Sequence, residues 1–244
     1  MPEGPRGSGF PSTAWSVILA AGDQGNVRSG RALEQICSGY WRPIYVYVRG
    51  RGHSREQAED LTQGFFALLI EKSHLADFRQ ERGRFRSFLL AAVKHYLANQ
   101  HDRASAAKRG GDQNHLTIDW SDGDPERIFQ QDAVNSITPE MLFAREWGRT
   151  VLDRTRQRLR AEMERTGKKK QFQELNTYAT GDEDISYRRL AQILEMTEGA
   201  VRVSVHRLRR RFRELLEGEV GQTLMSAKEV GDEMRFLLSV LSAR

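Results

Sequence analysis

The sequence predicts an all-α protein made of two small helical domains joined by an acidic linker, and three observations lead there. Apolar residues recur at three- and four-residue steps along most of the chain, as they do in helices that bury one face. Ile44 to Val48, whose β-branched and aromatic content could suggest a strand, has no partner strand signal nearby. From Gly110 to Asp132 the composition turns acidic and poor in apolar residues, which separates two helical blocks. With 244 residues the chain is long enough to bury two small cores. The expected boundaries are a flexible lead-in at 1–11, a helical domain at 12–108, the linker at 109–139, a second helical domain at 140–217 and a helical extension at 218–244.

Taken in order, Pro11-Ser12-Thr13 carries helix-start chemistry, and Trp15, Ile18 and Leu19 form a first short apolar face. A second helix is expected from Arg31, with Leu33, Ile36, Cys37 and Tyr40 on one side. Pro43 predicts a kink or restart there, because proline lacks the amide that an inner helical turn needs. Ile44 to Val48 then continues in β-branched and aromatic residues, and reads as helix because no partner strand is nearby. Ser54 and Gln57 have capping-box spacing and open the next helix, which runs to about Lys72. Ala58, Leu61, Phe65, Leu68 and Leu69 are its apolar stripe, and Glu56, Glu59, Asp60 and Gln63 are an acidic and amide flank with the composition of an ordinary solvated face. After an arginine-studded loop comes a helix from Phe85 to about Ala107, with Phe85, Phe88, Leu89, Ala92, Val93, Tyr96 and Leu97 as its core stripe. Arg86, Lys94, His95, Asn99 and Arg103 lie partly or wholly off that stripe.

Beyond the linker, Pro139 and Glu140 start a long helix to about Arg165, ended by Gly167 and the lysine run 168–170. A short helix at Phe172 to Tyr178 and an acidic loop at Gly181 to Asp184 lead into Ile185 to Leu216. There Leu190, Ala191 and Leu194 make one stripe, and Val201, Val205, Leu208, Phe212 and Leu215 make another. Thr197 stands at the N-cap of the second helix, so the pair has the spacing of a helix-turn-helix. Arg202, His206, Arg209 and Arg210 occupy the face away from the apolar stripe, where a recognition helix presents side chains to a DNA major groove. A solvated basic face and a protein-docking helix pair share this pattern. Concentration of the positive charge on the second helix favours DNA. The segment after Gly218 is amphipathic through Val230, Met234, Leu237, Leu238 and Leu241, and is expected to cap the second domain.

Composition narrows the partners. A net charge of +5 favours a polyanion. The single cysteine, Cys37, excludes an intrachain disulfide framework and a CxxC zinc site, which fits a reducing cytoplasm. The longest apolar runs fall well short of the roughly 20 residues that span a bilayer, so no membrane segment is expected. The six histidines show no metal-binding spacing. Phosphate-loop, dinucleotide-loop and nucleophile-elbow motifs are missing, so neither an enzyme nor a cofactor or metal site is expected.

Two separated blocks together resemble one family. AEDLTQGFFALLIEK at Ala58 to Lys72, followed by GRFRSFLLAAVKHYLANQHDR at Gly83 to Arg103, is similar to domain two of bacterial sigma-70-type transcription factors. Ile185 to Leu216 resembles their domain four, and the order of the blocks with no third domain between them looks like the extracytoplasmic-function group. The resemblance implies a factor that binds core RNA polymerase and directs it to promoter DNA. By resemblance, Asp60, Gln63 and Phe66 would dock on the clamp helices of the polymerase largest subunit. Arg86, Lys94, His95, Asn99 and Arg103 would address the minus-ten element. Thr197, Glu198, Arg202, His206, Arg209 and Arg210 would address the minus-thirty-five element. An anti-sigma factor is a third partner the family admits, and the acidic linker would suit either a basic channel of the polymerase or a plain tether.

Three departures from the family pattern stand out. Gly64 occupies a usually acidic position, Glu195 a turn position where glycine is usual, and Ser204 a position where relatives often carry arginine, which shifts base contacts onto Arg202 and His206. The alternative functions are a helix-turn-helix regulator that binds DNA without polymerase, and an interaction module that has kept the fold.

Overall fold

A computed structural model describes residues 27–71, 84–106, 125–133, 138–179, 186–224 and 226–242, and every regular element among them is helical. The chain forms two compact units, Met1–Gly148 with Gly221–Arg244, and Arg149–Val220. The expected helix around Trp15 and the loop before Arg84 lie outside the described residues.

In the first unit, α1 (Val27–Gly50) packs on α2 (Arg55–Glu71). From Tyr40 to Val48 nearly every side chain of α1 is buried, Ile44, Tyr45, Val46 and Val48 completely. A helix covered on all sides has no polar face. That explains why this stretch carries a strand-like composition without being a strand. Pro43 lies inside α1, so the helix continues through it rather than restarting. An inner proline costs about 3 kcal/mol, which the dense burial around it offsets. The Ser54 cap forms as its spacing predicts, with Gln57 N–H donating to Ser54 Oγ at 3.3 Å and Ser54 N–H to Gln57 Oε1 at 3.0 Å.

Helix α3 (Phe85–Ala106) sets Phe85, Leu89, Val93 and Tyr96 into the core. Phe85 meets Tyr40 edge-on at 5.1 Å, and Tyr96 meets Phe65 at 5.8 Å. The second half of the predicted linker is not extended: Pro125–Ala133 is a helix, α4, packed on α1. Its Glu126 is turned inward onto Tyr45 and Arg49, and this partnership is what makes an acidic stretch fold.

Thr138 caps α5 (Pro139–Arg165) by accepting from Met141 N–H at 3.2 Å. Within the first unit its side chains Leu142, Phe143 and Trp147 are buried, and Trp147 Nε1 donates to Tyr40 Oη at 3.2 Å.

The C-terminal segment corrects an expectation. It groups with the first unit. A 3₁₀ turn (Ala227–Glu229) leads into the last helix, Val230–Ser242, whose Glu233, Leu237 and Val240 are buried. Phe85 N–H donates to Thr223 O at 3.1 Å. A Cβ on Gly148 would lie 3.1 Å from Leu237 and 3.2 Å from Leu241, so a glycine is what lets this helix come so close. Leu238, expected on the apolar stripe, is 60% exposed.

The second unit comprises the remainder of α5, then α6 (Lys169–Leu175) with a 3₁₀ turn (Asn176–Ala179), α7 (Tyr187–Leu194) and most of α8 (Glu198–Gly221). The lysine run therefore begins α6 as well as following α5. Gly167 takes a φ of 71°, and Lys168 N–H closes back on Met163 O at 2.8 Å, a left-handed helix end that glycine adopts without strain. Val151, Leu159, Phe172, Leu175, Leu190, Val201, Val205, Leu208, Phe212 and Leu216 make the core. Arg211 binds Glu162 through two 2.8 Å hydrogen bonds, which hold the Glu162 carboxyl below its ordinary range. With α9 denoting Val230–Ser242, the described residues hold nine α-helices.

Candidate nucleic-acid interface

The helix-turn-helix is built from its two caps. Ser186 accepts from Arg189 N–H at the start of α7, and Glu195 ends that helix at φ 55° and ψ 43°, the only non-glycine residue at positive φ among those described. Thr197 Oγ1 accepts from Ala200 N–H at 3.2 Å and so caps α8 as predicted. Three residues, Glu195 to Thr197, thus separate the helices.

Helix α8 buries Val201, Val205, Leu208 and Phe212 and leaves Glu198, Arg202, His206, Arg209 and Arg210 exposed. From Glu198 to Arg213 the helix carries six arginines against one glutamate. The predicted residues are not equivalent. Arg202 lays its guanidinium 4.6 Å over the Tyr187 ring, a cation–π contact that holds it toward α7. Arg209 Nε donates to Tyr178 O at 2.9 Å, and Arg210 pairs with Glu214 at 3.3 Å. Ser204 is half-buried and accepts from Gln171 Nε2 at 3.1 Å, which turns its hydroxyl away from the outer face. Val203, which the periodicity did not single out, is 48% exposed between Arg202 and the next helical turn.

In the first unit the predicted residues separate more sharply. Asp60 is exposed and Gln63 half-buried on α2, but Phe66 is fully buried and presents nothing to a partner. Its periodicity matched the core stripe as well as the outer flank, and the core won. Arg86 is likewise corrected: it bonds the buried Glu233 and stacks on Phe236 at 3.7 Å, so it faces inward. Lys94 pairs with Glu140 at 2.8 Å, which raises the lysine pKa and lowers that of the glutamate. His95 and Asn99 are exposed, and the side chain of Arg103 lies outside the described residues. Asp60 and Lys94, expected to serve different partners, line one open cleft of about 980 Å³ with Tyr47, Arg51, His53 and His101. Burial there, aided by the Arg51 charge, lowers the His53 pKa.

Among the described residues no cluster of three or more metal-ligating side chains forms, and no helix is long and apolar enough to cross a membrane. Comparison of the chain with protein-family models, curated proteins and solved structures finds no match in any of the three.

Proposed function

We propose that this chain is a sigma-type initiation factor, which binds core RNA polymerase, directs it to promoter DNA and performs no chemistry of its own. The observation that carries the reading is the exposed cationic face of α8, set on a capped helix-turn-helix in the second unit. A helix entering a major groove needs such a face, because phosphates are met by charge and base edges by forked or bidentate donors. Arg202 and His206 are the base-reading candidates, with Thr197, Glu198, Arg209 and Arg210 around them; the partners of Arg209 and Arg210 suit phosphate contact better than base readout.

Asp60 and Gln63 on the outer side of α2 support a docking role toward polymerase, with Phe66 now supporting the helix from beneath. Lys94, His95 and Asn99 on α3 support contact with a melted strand.

The deciding experiment mixes the purified chain with core RNA polymerase and scores promoter-dependent runoff transcription. Promoter-specific transcripts are expected. Binding to duplex DNA with no association with core polymerase would instead identify a helix-turn-helix regulator that acts alone.

A further inference from the structure

We propose that Val203 is a specificity-determining residue of the α8 face and reads the 5-methyl group of a thymine in a DNA major groove. The inference rests on the DNA reading of that face given above.

Only two large apolar side chains are substantially exposed among the described residues, Val203 at 48% and Leu238 at 60%, and Leu238 belongs to the other unit. Val203 is therefore only partly packed, and a β-branched residue is a poorer helix former than the residues usual on an outer helical face. The neighbours of Val203 one turn away are Gly199, Ala200, His206 and Arg207, and Arg202 precedes it.

Gly199 matters because side chains on a helix lean toward its N-terminus, so Val203 reaches toward the surface over Gly199. A Cβ at Gly199 would meet nothing within 4 Å, so the backbone there is bare and open to close approach. The result is a small apolar notch with Arg202, His206 and Arg207 around it. Ser204 contributes no hydroxyl to the notch, because it is turned onto Gln171.

An isolated valine among cations is too small an apolar area to anchor a protein partner, whose interface core needs several such groups. It matches a polyanion that offers one apolar group at a time. In the major groove, thymine offers its C5 methyl group, which G·C and C·G pairs lack.

The test uses the full chain, with and without core RNA polymerase, and duplex DNA selected by it from a random pool. Each thymine of the selected site is then replaced by deoxyuridine, which removes the methyl group alone. One replacement should weaken binding by the wild-type chain about fourfold, the effect of losing one buried methyl group. Val203→Ala should bind the thymine duplex about fourfold more weakly than wild type and should respond less than wild type to that same replacement. Because Val203 is exposed, the variant is expected to keep its helical circular dichroism. Equal sensitivity to deoxyuridine in both proteins, or no sensitive thymine in the wild type, would overturn the role of Val203 and leave DNA binding intact. Failure to retain any duplex under either condition would overturn the DNA reading itself, and this inference with it.

Discussion

Arg49 grips Glu126 through two hydrogen bonds, Nε to Oε2 and Nη2 to Oε1, each 2.7 Å long. Tyr45 Oη donates to the same carboxylate at 2.8 Å, and Arg49 also stacks over Phe129 at 4.6 Å. The contact fastens α4 to the buried end of α1 across more than seventy residues of chain. The guanidinium, joined by the tyrosine hydroxyl, holds the Glu126 carboxyl down at about 2, against an ordinary 4.5.

A depressed carboxylate adds stability above its unfolded pKa and loses it as pH falls through its folded one. Glu126→Gln should therefore destabilise the chain by about 2–3 kcal/mol at neutral pH. The gap from wild type should close as pH falls from 4.5 to about 2. Urea unfolding at a series of pH values measures this, and a gap that stays constant would refute the assignment.

Arg84 and Arg86 both end on Glu233, whose side chain is fully buried. Glu233→Ala would leave Arg86 stacked on Phe236 with its counter-charge gone, so a loss of about 3–5 kcal/mol is expected. Hydrogen exchange should rise at the first turn of α3, which holds Arg86 and directly follows Arg84. Unfolding that matches wild type within experimental error would show that the pair adds nothing.

Glu195 is held in a left-handed conformation that costs a side-chain-bearing residue about 1 kcal/mol or more. Its contact with Lys170, at 3.8 Å between largely exposed side chains, offsets little of this. Glu195→Gly should raise unfolding free energy by about 1 kcal/mol. Thermal melts check it, and an unchanged or lower midpoint would mean that the glutamate has a partner the turn requires.

Asp60 and Phe66 share α2 but should fail differently. Asp60→Ala is expected to weaken co-purification with core polymerase while leaving the thermal midpoint unchanged. Phe66→Ala should lower stability by about 3–5 kcal/mol, because it empties a fully buried aromatic site. Normal polymerase association by Asp60→Ala would remove that residue from the proposed docking face.

The helices were legible because their spacing is local: Val201, Val205, Leu208 and Phe212 repeat within one segment, and Ser54 with Gln57 or Thr197 with α8 declare themselves within three residues. Glu126 and Glu233 were not legible. A glutamate in an acidic stretch or on an amphipathic helix looks solvated, and its arginine partners lie 77 and 147 residues away along the chain. Arg86 was misread for the same reason, since a cation off an apolar stripe shows its charge and hides its neighbour. Phe66 sits at the border between stripe and flank of α2, and only packing decides such positions. Val203 escaped notice because an apolar residue next to an apolar stripe gives no signal until its exposure is seen.

Gly221–Arg244 and Met1–Gly148 share one core, although the whole second unit is written between them. During synthesis, which proceeds at about 5–20 residues per second, every residue of the helix-turn-helix unit has been made while the first unit still lacks Glu233 and Leu237. The unit whose synthesis starts first is thus completed last, and its surface around Trp147 and Gly148 stays uncovered until Val230–Ser242 has been made.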